Sequence, residues 1–160
     1  MAPEAILRLS KILRFMLYET SGDFISIEKE VKVITDYIEL EKLRYDELLR
    51  ITFHQQINNL NQQIPPLILI PLVENAFKHG TSETTGNQFV DIHLTVQNGW
   101  LIFIVKNSAG SLSEKMMKEN IGLSNLRRQL AFLFKEYNLT VDHSESVFTV
   151  ILKINLTSHV

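Results

Sequence analysis

Pro65–Gly80 reads PPLILIPLVENAFKHG. With about 100° of turn per helical residue, Leu69, Leu72, Val73, Ala76 and Phe77 share one side, Glu74, Asn75 and Lys78 gather on the other, and His79 stands at the rim. The polar side is compact: a carboxylate that can act as base or acceptor, an amide oxygen that suits a hard cation, and an ammonium that suits anions. Such an inventory fits a magnesium-bound phosphate. The competing account is a solvated Glu74–Lys78 pair, acid before base at i,i+4, on an ordinary amphipathic helix. Pro66 is suited to a helix start. Pro71 lies deeper and should kink the helix or delay its regular part.

Around this stretch the chain reads as helix, helix, strand, helix, hairpin, loop, helix, hairpin. Ile6, Leu9, Leu13 and Met16 recur at helical spacing between Pro3 and about Glu19. Ser26 is placed to N-cap a second helix with Glu28 and Glu30 in its first turn. That helix carries Ile27, Val31, Ile34, Ile38 and Tyr45 in a seam interrupted by Glu41, which packs on the first helix or on a second copy of the chain. Leu49, Ile51 and Phe53 alternate with polar residues as a strand, and the polar run QQINNLNQQI after it reads as a loop. Val90–Val96 and Trp100–Val105 flank Asn98-Gly99, a tight hairpin turn. Ser108–Asn120 has no period and reads as a mobile lid, with a helix starting near Gly122 whose buried stripe is Leu123, Leu126, Leu130, Leu133 and Tyr137. Leu139–Asp142 and Val147–Ile154 close the chain as a hairpin. Strands in hairpins with helices between them argue an α+β layer, two long helices on one face of a mixed sheet.

Composition sets limits. The 160 residues are 45% hydrophobic, enough for one compact domain plus an appendage. Sixteen basic and eighteen acidic residues leave a formal net charge of -2, so there is no electrostatic footprint for nucleic acid. Absence of cysteine removes disulfides, thiolate zinc sites and cysteine nucleophiles, and makes cytoplasm the default. Charges every three or four residues near the N-terminus leave no uninterrupted apolar core for a signal peptide or membrane span, so no membrane contact by this fragment is expected. The five histidines show no metal-ligand spacing, and those on strands should face solvent.

LVENAFKHG, Leu72–Gly80, resembles the N box of the gyrase, heat-shock chaperone, histidine kinase and MutL type of ATPase, in the wording of the LytS-type sensor histidine kinases. IGLSNLRRQL, Ile121–Leu130, resembles the same family's second glycine box, and IEKEVKVITDYIELEKLRY, Ile27–Tyr45, resembles the helix before its ATP-binding domain. The resemblance covers nearly all of the chain and implies the Bergerat ATP-binding fold, a two-layer α/β sandwich over 48–160, preceded by part of a dimerisation helical hairpin over 1–47. It implies a catalytic domain that transfers the ATP γ-phosphoryl group to a histidine for relay to a response regulator, in the cytoplasmic portion of a membrane-anchored, homodimeric sensor. Carried over by position, Asn75 holds magnesium, Glu74 assists transfer or orients water, and Lys78 meets phosphate oxygens. His79 contacts phosphate or ribose, or merely caps the helix. Gly110, Gly122, Leu123 and Asn125 are the matching nucleotide-binding positions, with amides at a helix start after Gly122 offered to phosphate.

Two departures stand out. Asn107 occupies the place of the aspartate that accepts the adenine amine, so adenine binding should be weaker or less selective. Gln129 replaces an arginine, with Arg127 and Arg128 nearby. None of His54, His79, His93, His143 or His159 has the proline-histidine-phenylalanine setting of the family's phosphoacceptor, so this segment should not phosphorylate itself. A degenerate nucleotide-sensing or dimerisation module of the same fold is the alternative.

Overall fold

The computed structural model describes residues 2–14, 22–45, 49–80, 88–109, 114–144 and 146–160, with the backbone alone for 2, 79, 80 and 114–122. Helix α1 is Ala2–Arg14 and α2 is Ile27–Arg44. The expected continuation of the first helix towards Glu19 lies outside the described residues. Ser26 caps α2 as anticipated: its hydroxyl accepts from the Lys29 amide at 3.3 Å. The buried side of α2 comprises Ile27, Glu30, Val33, Ile34, Ile38 and Glu41. Glu41 therefore belongs to the seam it was expected to interrupt, and Val31 and Tyr45 are only partly buried.

Five strands form the main sheet in the order β2-β4-β5-β7-β6, where β2 is Leu49–Ile57, β4 Gln88–Gln97, β5 Trp100–Ser108, β6 Tyr137–Ser144 and β7 Val147–Asn155. β2 runs parallel to β4 and the other pairs are antiparallel, so the sheet is mixed as expected. The Asn98-Gly99 hairpin is confirmed, with φ of 53° and 81°. Two segments of the presumed loop after His54 are strands. Residues 55–57 extend β2, where an edge strand tolerates polar side chains towards water. Gln63–Ile64 forms β3, which pairs antiparallel with β1, Ile25–Ser26.

Helix α3 spans Ile70–Gly80, so it does not start at Pro65–Pro66; its regular part is delayed to the turn that holds Pro71, one of the two outcomes expected of that proline. Residues 65–69 lead in as turns, and Pro71 sits in the first turn, where its missing N–H has no intrahelical partner to lose. Leu69, Leu72, Val73, Ala76 and Phe77 are all buried, as the apolar side required. Helix α4 spans Glu114–Leu133. It starts eight residues before Gly122, within the segment read as a lid, because Glu114–Lys118 is built of strong helix formers even without an amphipathic period. Leu123, Leu126 and Leu130 are buried beneath it, while Tyr137 falls in β6.

The core lies between the sheet and the helices. Val90, Ile92, Leu94 and Val96 of β4 and Leu101, Phe103 and Val105 of β5 meet α3 from below. Ile27, Val33, Ile34 and Ile38 of α2 join the same buried cluster. One carboxylate ties the layers together. Glu30, fully buried on α2, accepts from the amides of Leu67 at 3.0 Å and Leu69 at 3.1 Å in the lead-in to α3. Leu67 has φ of 60°, so Glu30 stabilises a backbone bend that a branched residue would otherwise avoid.

Candidate nucleotide-binding site

Burying the apolar side of α3 in the core turns its other side towards α2 and α4. Glu74 and Lys78 are exposed and Asn75 is partly exposed. Among the described residues, no ion pair joins Glu74 to Lys78, so the ordinary solvated pair is not what holds them. Between α3 and α4 lies a hollow of about 230 Å³ lined by Pro71, Glu74, Asn75, Lys78, Leu123 and Leu126. One wall is polar and the other is leucine. That is the space expected between the two helices, and Leu123 is in it.

Other expected positions are placed differently. Gly122 is in the interior of α4, so its following amides belong to the helical ladder instead of a free N-terminus. Asn125 is exposed and does not line the hollow. Arg127 is directed to β6, donating from Nη1 to the Leu139 carbonyl at 2.6 Å, and so does not stand in for the missing arginine. Gly110 and the side chain of His79 lie outside the described residues.

Asn107 is buried near the end of β5, with Val105 and Phe103 on the sheet's helix-covered side. Its Nδ2 donates to the Ser108 carbonyl at 3.0 Å, an orientation that leaves the oxygen as its accepting end.

A second hollow, of about 510 Å³, opens on the α2 side of α3. Tyr37, Glu41, Arg44, Tyr45, Glu74, Phe77 and Lys78 line it, so Glu74 and Lys78 face both spaces. Burial, and then the charge of Glu41, pushes the Glu74 carboxyl above its ordinary range. Burial, with the charges of Glu41 and Glu74 beside it, likewise raises the Tyr37 phenol. A carboxyl with a raised pKa beside a polar cleft keeps its proton to higher pH than an ordinary one, which suits an acid–base or water-orienting role. Sequence reasoning missed Tyr37 and Glu41 as parts of this surroundings; the acid breaking an apolar seam was the available signal.

The sequence profile of the histidine kinase family matches residues 1–49. The sensor protein LytS of Staphylococcus saprophyticus is 30% identical over 145 residues, covering 83% of this chain and 24% of that protein. The chain spans about a quarter of the length of the curated relatives it matches. Among solved structures, the histidine kinase domain of the blue-light activated histidine kinase EL346 from Erythrobacter litoralis superposes with a TM-score of 0.66 at 15% identity, covering 96% of this chain and 80% of that one. The histidine kinase ThkA in complex with the response regulator TrrA gives a TM-score of 0.52 at 19% identity, covering 93% of this chain and 47% of that one. These likenesses show a shared fold, the α/β sandwich of histidine kinase catalytic domains. By sequence the chain is similar to the LytS-type sensor histidine kinases over most of its length, and by fold to histidine kinase catalytic domains.

Proposed function

We propose that this chain is the ATP-binding catalytic portion of a two-component sensor histidine kinase, transferring the ATP γ-phosphoryl group to a histidine outside it for relay to a response regulator. The observation that carries the reading is the hollow between α3 and α4, with Glu74, Asn75 and Lys78 on one wall. ATP with magnesium supplies the transferable group and the charge-bridging cation; the protein's task is positioning and charge neutralisation. Asn75 offers its side-chain oxygen to the cation, Lys78 neutralises phosphate oxygens, and Glu74 orients water or the accepting group. Asn107 accepts from the adenine amine, and His79, Gly110, Gly122, Leu123 and Asn125 complete the nucleotide's surroundings.

The hollow is smaller than the roughly 300–1,000 Å³ typical of small-molecule sites, so in this arrangement it fits the metal-phosphate end of a nucleotide. Contact between phosphate and the amides after Gly122 requires residues 114–121 to leave the helix. Gly122 makes that break easier, because glycine inside a helix costs about 1 kcal/mol relative to alanine.

Residues 1–47 act in this reading as part of a dimerisation hairpin and 48–160 as the ATPase domain. Ile6, Leu9 and Leu13 on α1 are about half exposed or more, an apolar stripe suited to a second copy. Among the described residues no helix is long and apolar enough to cross a membrane. We place the segment on the cytoplasmic side of a membrane-anchored parent.

Calorimetric titration with ATP, with and without magnesium, tests the assignment. Magnesium-dependent binding that Asn75→Ala removes and Asn107→Ala weakens moderately supports it. Equal affinity with and without magnesium favours a non-catalytic nucleotide-sensing module, the reading that asparagine at 107 motivates; no binding overturns both.

A further inference from the structure

The face of the sheet turned away from the helices carries a second constellation. The parallel register of β2 and β4 sets Thr52 opposite Asp91 and His54 opposite His93. Alternation along each strand puts all four on one face, opposite the buried Ile92 and Leu94. The two imidazoles stack with centroids 4.8 Å apart and planes inclined by 26°. His93 Nε2 lies 3.1 Å from Asp91 Oδ2, and the Thr52 hydroxyl bonds to Asp91 Oδ1. One ligand atom from each of His54, Asp91 and His93 falls within 4.8 Å of the others.

We propose that His54, Asp91 and His93 form a binding site for a divalent first-row transition ion of the zinc type. The expectation that these histidines face solvent holds, since His54 is exposed and His93 partly so. What linear spacing could not show is that strand pairing brings residues 39 positions apart into register. Two imidazoles and one carboxylate suit zinc, whereas magnesium prefers an all-oxygen octahedral shell. Thr52 orients the carboxylate from behind and leaves Oδ2 facing the rings, the kind of supporting bond that ligating carboxylates commonly have. Three protein ligands on an open face leave further coordination to water. Lys106, opposite Asp91 on β5, is the nearest cation of that strand on this face and forms no ion pair with it among the described residues. The site lies across the sheet from the nucleotide hollow and does not depend on that assignment. A bound ion would clip the edge strand β2, the first strand after α2, to β4.

Titration of the whole chain with zinc chloride in a calorimeter, without nucleotide, tests the proposal. One saturable step is expected, lost in His54→Gln and in His93→Gln, retained in His143→Gln, and weakened about 10–100-fold in Thr52→Val. Cobalt(II) absorption of the unsubstituted chain provides a reading that needs no variant: visible bands of low-coordinate cobalt with nitrogen and oxygen ligands are expected, and zinc should bleach them. Absence of a saturable step, binding that survives both histidine substitutions, or cobalt spectra identical to the aqueous ion would overturn the site.

Discussion

Replacing Glu30 tests how the candidate site is held in place. Its carboxylate accepts from the amides of Leu67 and Leu69 in the lead-in to α3. Glu30→Gln can still accept from one amide but turns an –NH₂ towards the other, leaving one buried donor without a partner at a cost of about 1–3 kcal/mol. Glu30→Ala orphans both, for about 2–6 kcal/mol before any relief from entering water. At about 2–4 °C per kcal/mol for chains of this size, the expected fall in Tm is about 4–8 °C for Gln and about 8–16 °C for Ala, taking 2 and 4 kcal/mol as central values. Calorimetry reads the shift, and hydrogen exchange should show Leu67 and Leu69 losing protection together.

The pH dependence adds an internal control. Burial pushes the Glu30 carboxyl above its ordinary value of 4.5, more than the amides of Leu69, Leu67 and Ile68 pull it down. The folded chain then keeps a proton that the unfolded chain has released, so this group's contribution falls as pH rises from 4.5 through the folded value. The gap between wild type and Glu30→Gln should therefore be widest below that window and narrow above it. Measured at a pH below that window, a Tm within about 2 °C of wild type for both variants, with both amides still protected, would refute the reasoning.

Two further outcomes follow from the same arrangement. Gly122→Ala should stabilise α4 by about 1 kcal/mol and, in the proposed binding mode where residues 114–121 unwind to free the amides after Gly122, weaken ATP binding about 5-fold; an unchanged Kd by titration would show that no unwinding is needed. Glu41→Gln removes the neighbouring charge that helps raise Glu74, so carbon-13 NMR titration of the Glu74 carboxyl should move to lower pH, and an unmoved curve would place the cause in burial alone.

The hairpins, the Ser26 cap and the apolar side of α3 were legible because local rules decide them: strand alternation, an Asn-Gly turn, a side chain within reach of a free amide. The start of α3 was misread because two prolines at 65 and 66 look like a helix entrance, whereas the buried Glu30 holds the chain in turns until Ile70. Nothing near residue 65 announces a carboxylate 37 positions before Leu67. Glu114–Asn120 lacks the periodicity that marks a packed helix, so its helicity rests on intrinsic preference and was read as loop. Asn75 and its neighbours could be found as chemistry on one helix side. The partners facing them, Glu41 and Tyr37, come from an element whose approach only the tertiary fold determines.

The β1–β3 pairing gives α2 and the lead-in to α3 a common pivot at Ile25–Ile64. Taken as a rigid rod from that point, α2 would carry Glu41 about 21 Å out at 1.5 Å per residue. A tilt of about 5° moves that end by about 2 Å, several times the tolerance of a hydrogen bond, while the pivot hardly shifts. A small rotation delivered to the amino-terminal helices would thus reach the α3 cleft as a change in the distance between two carboxylates.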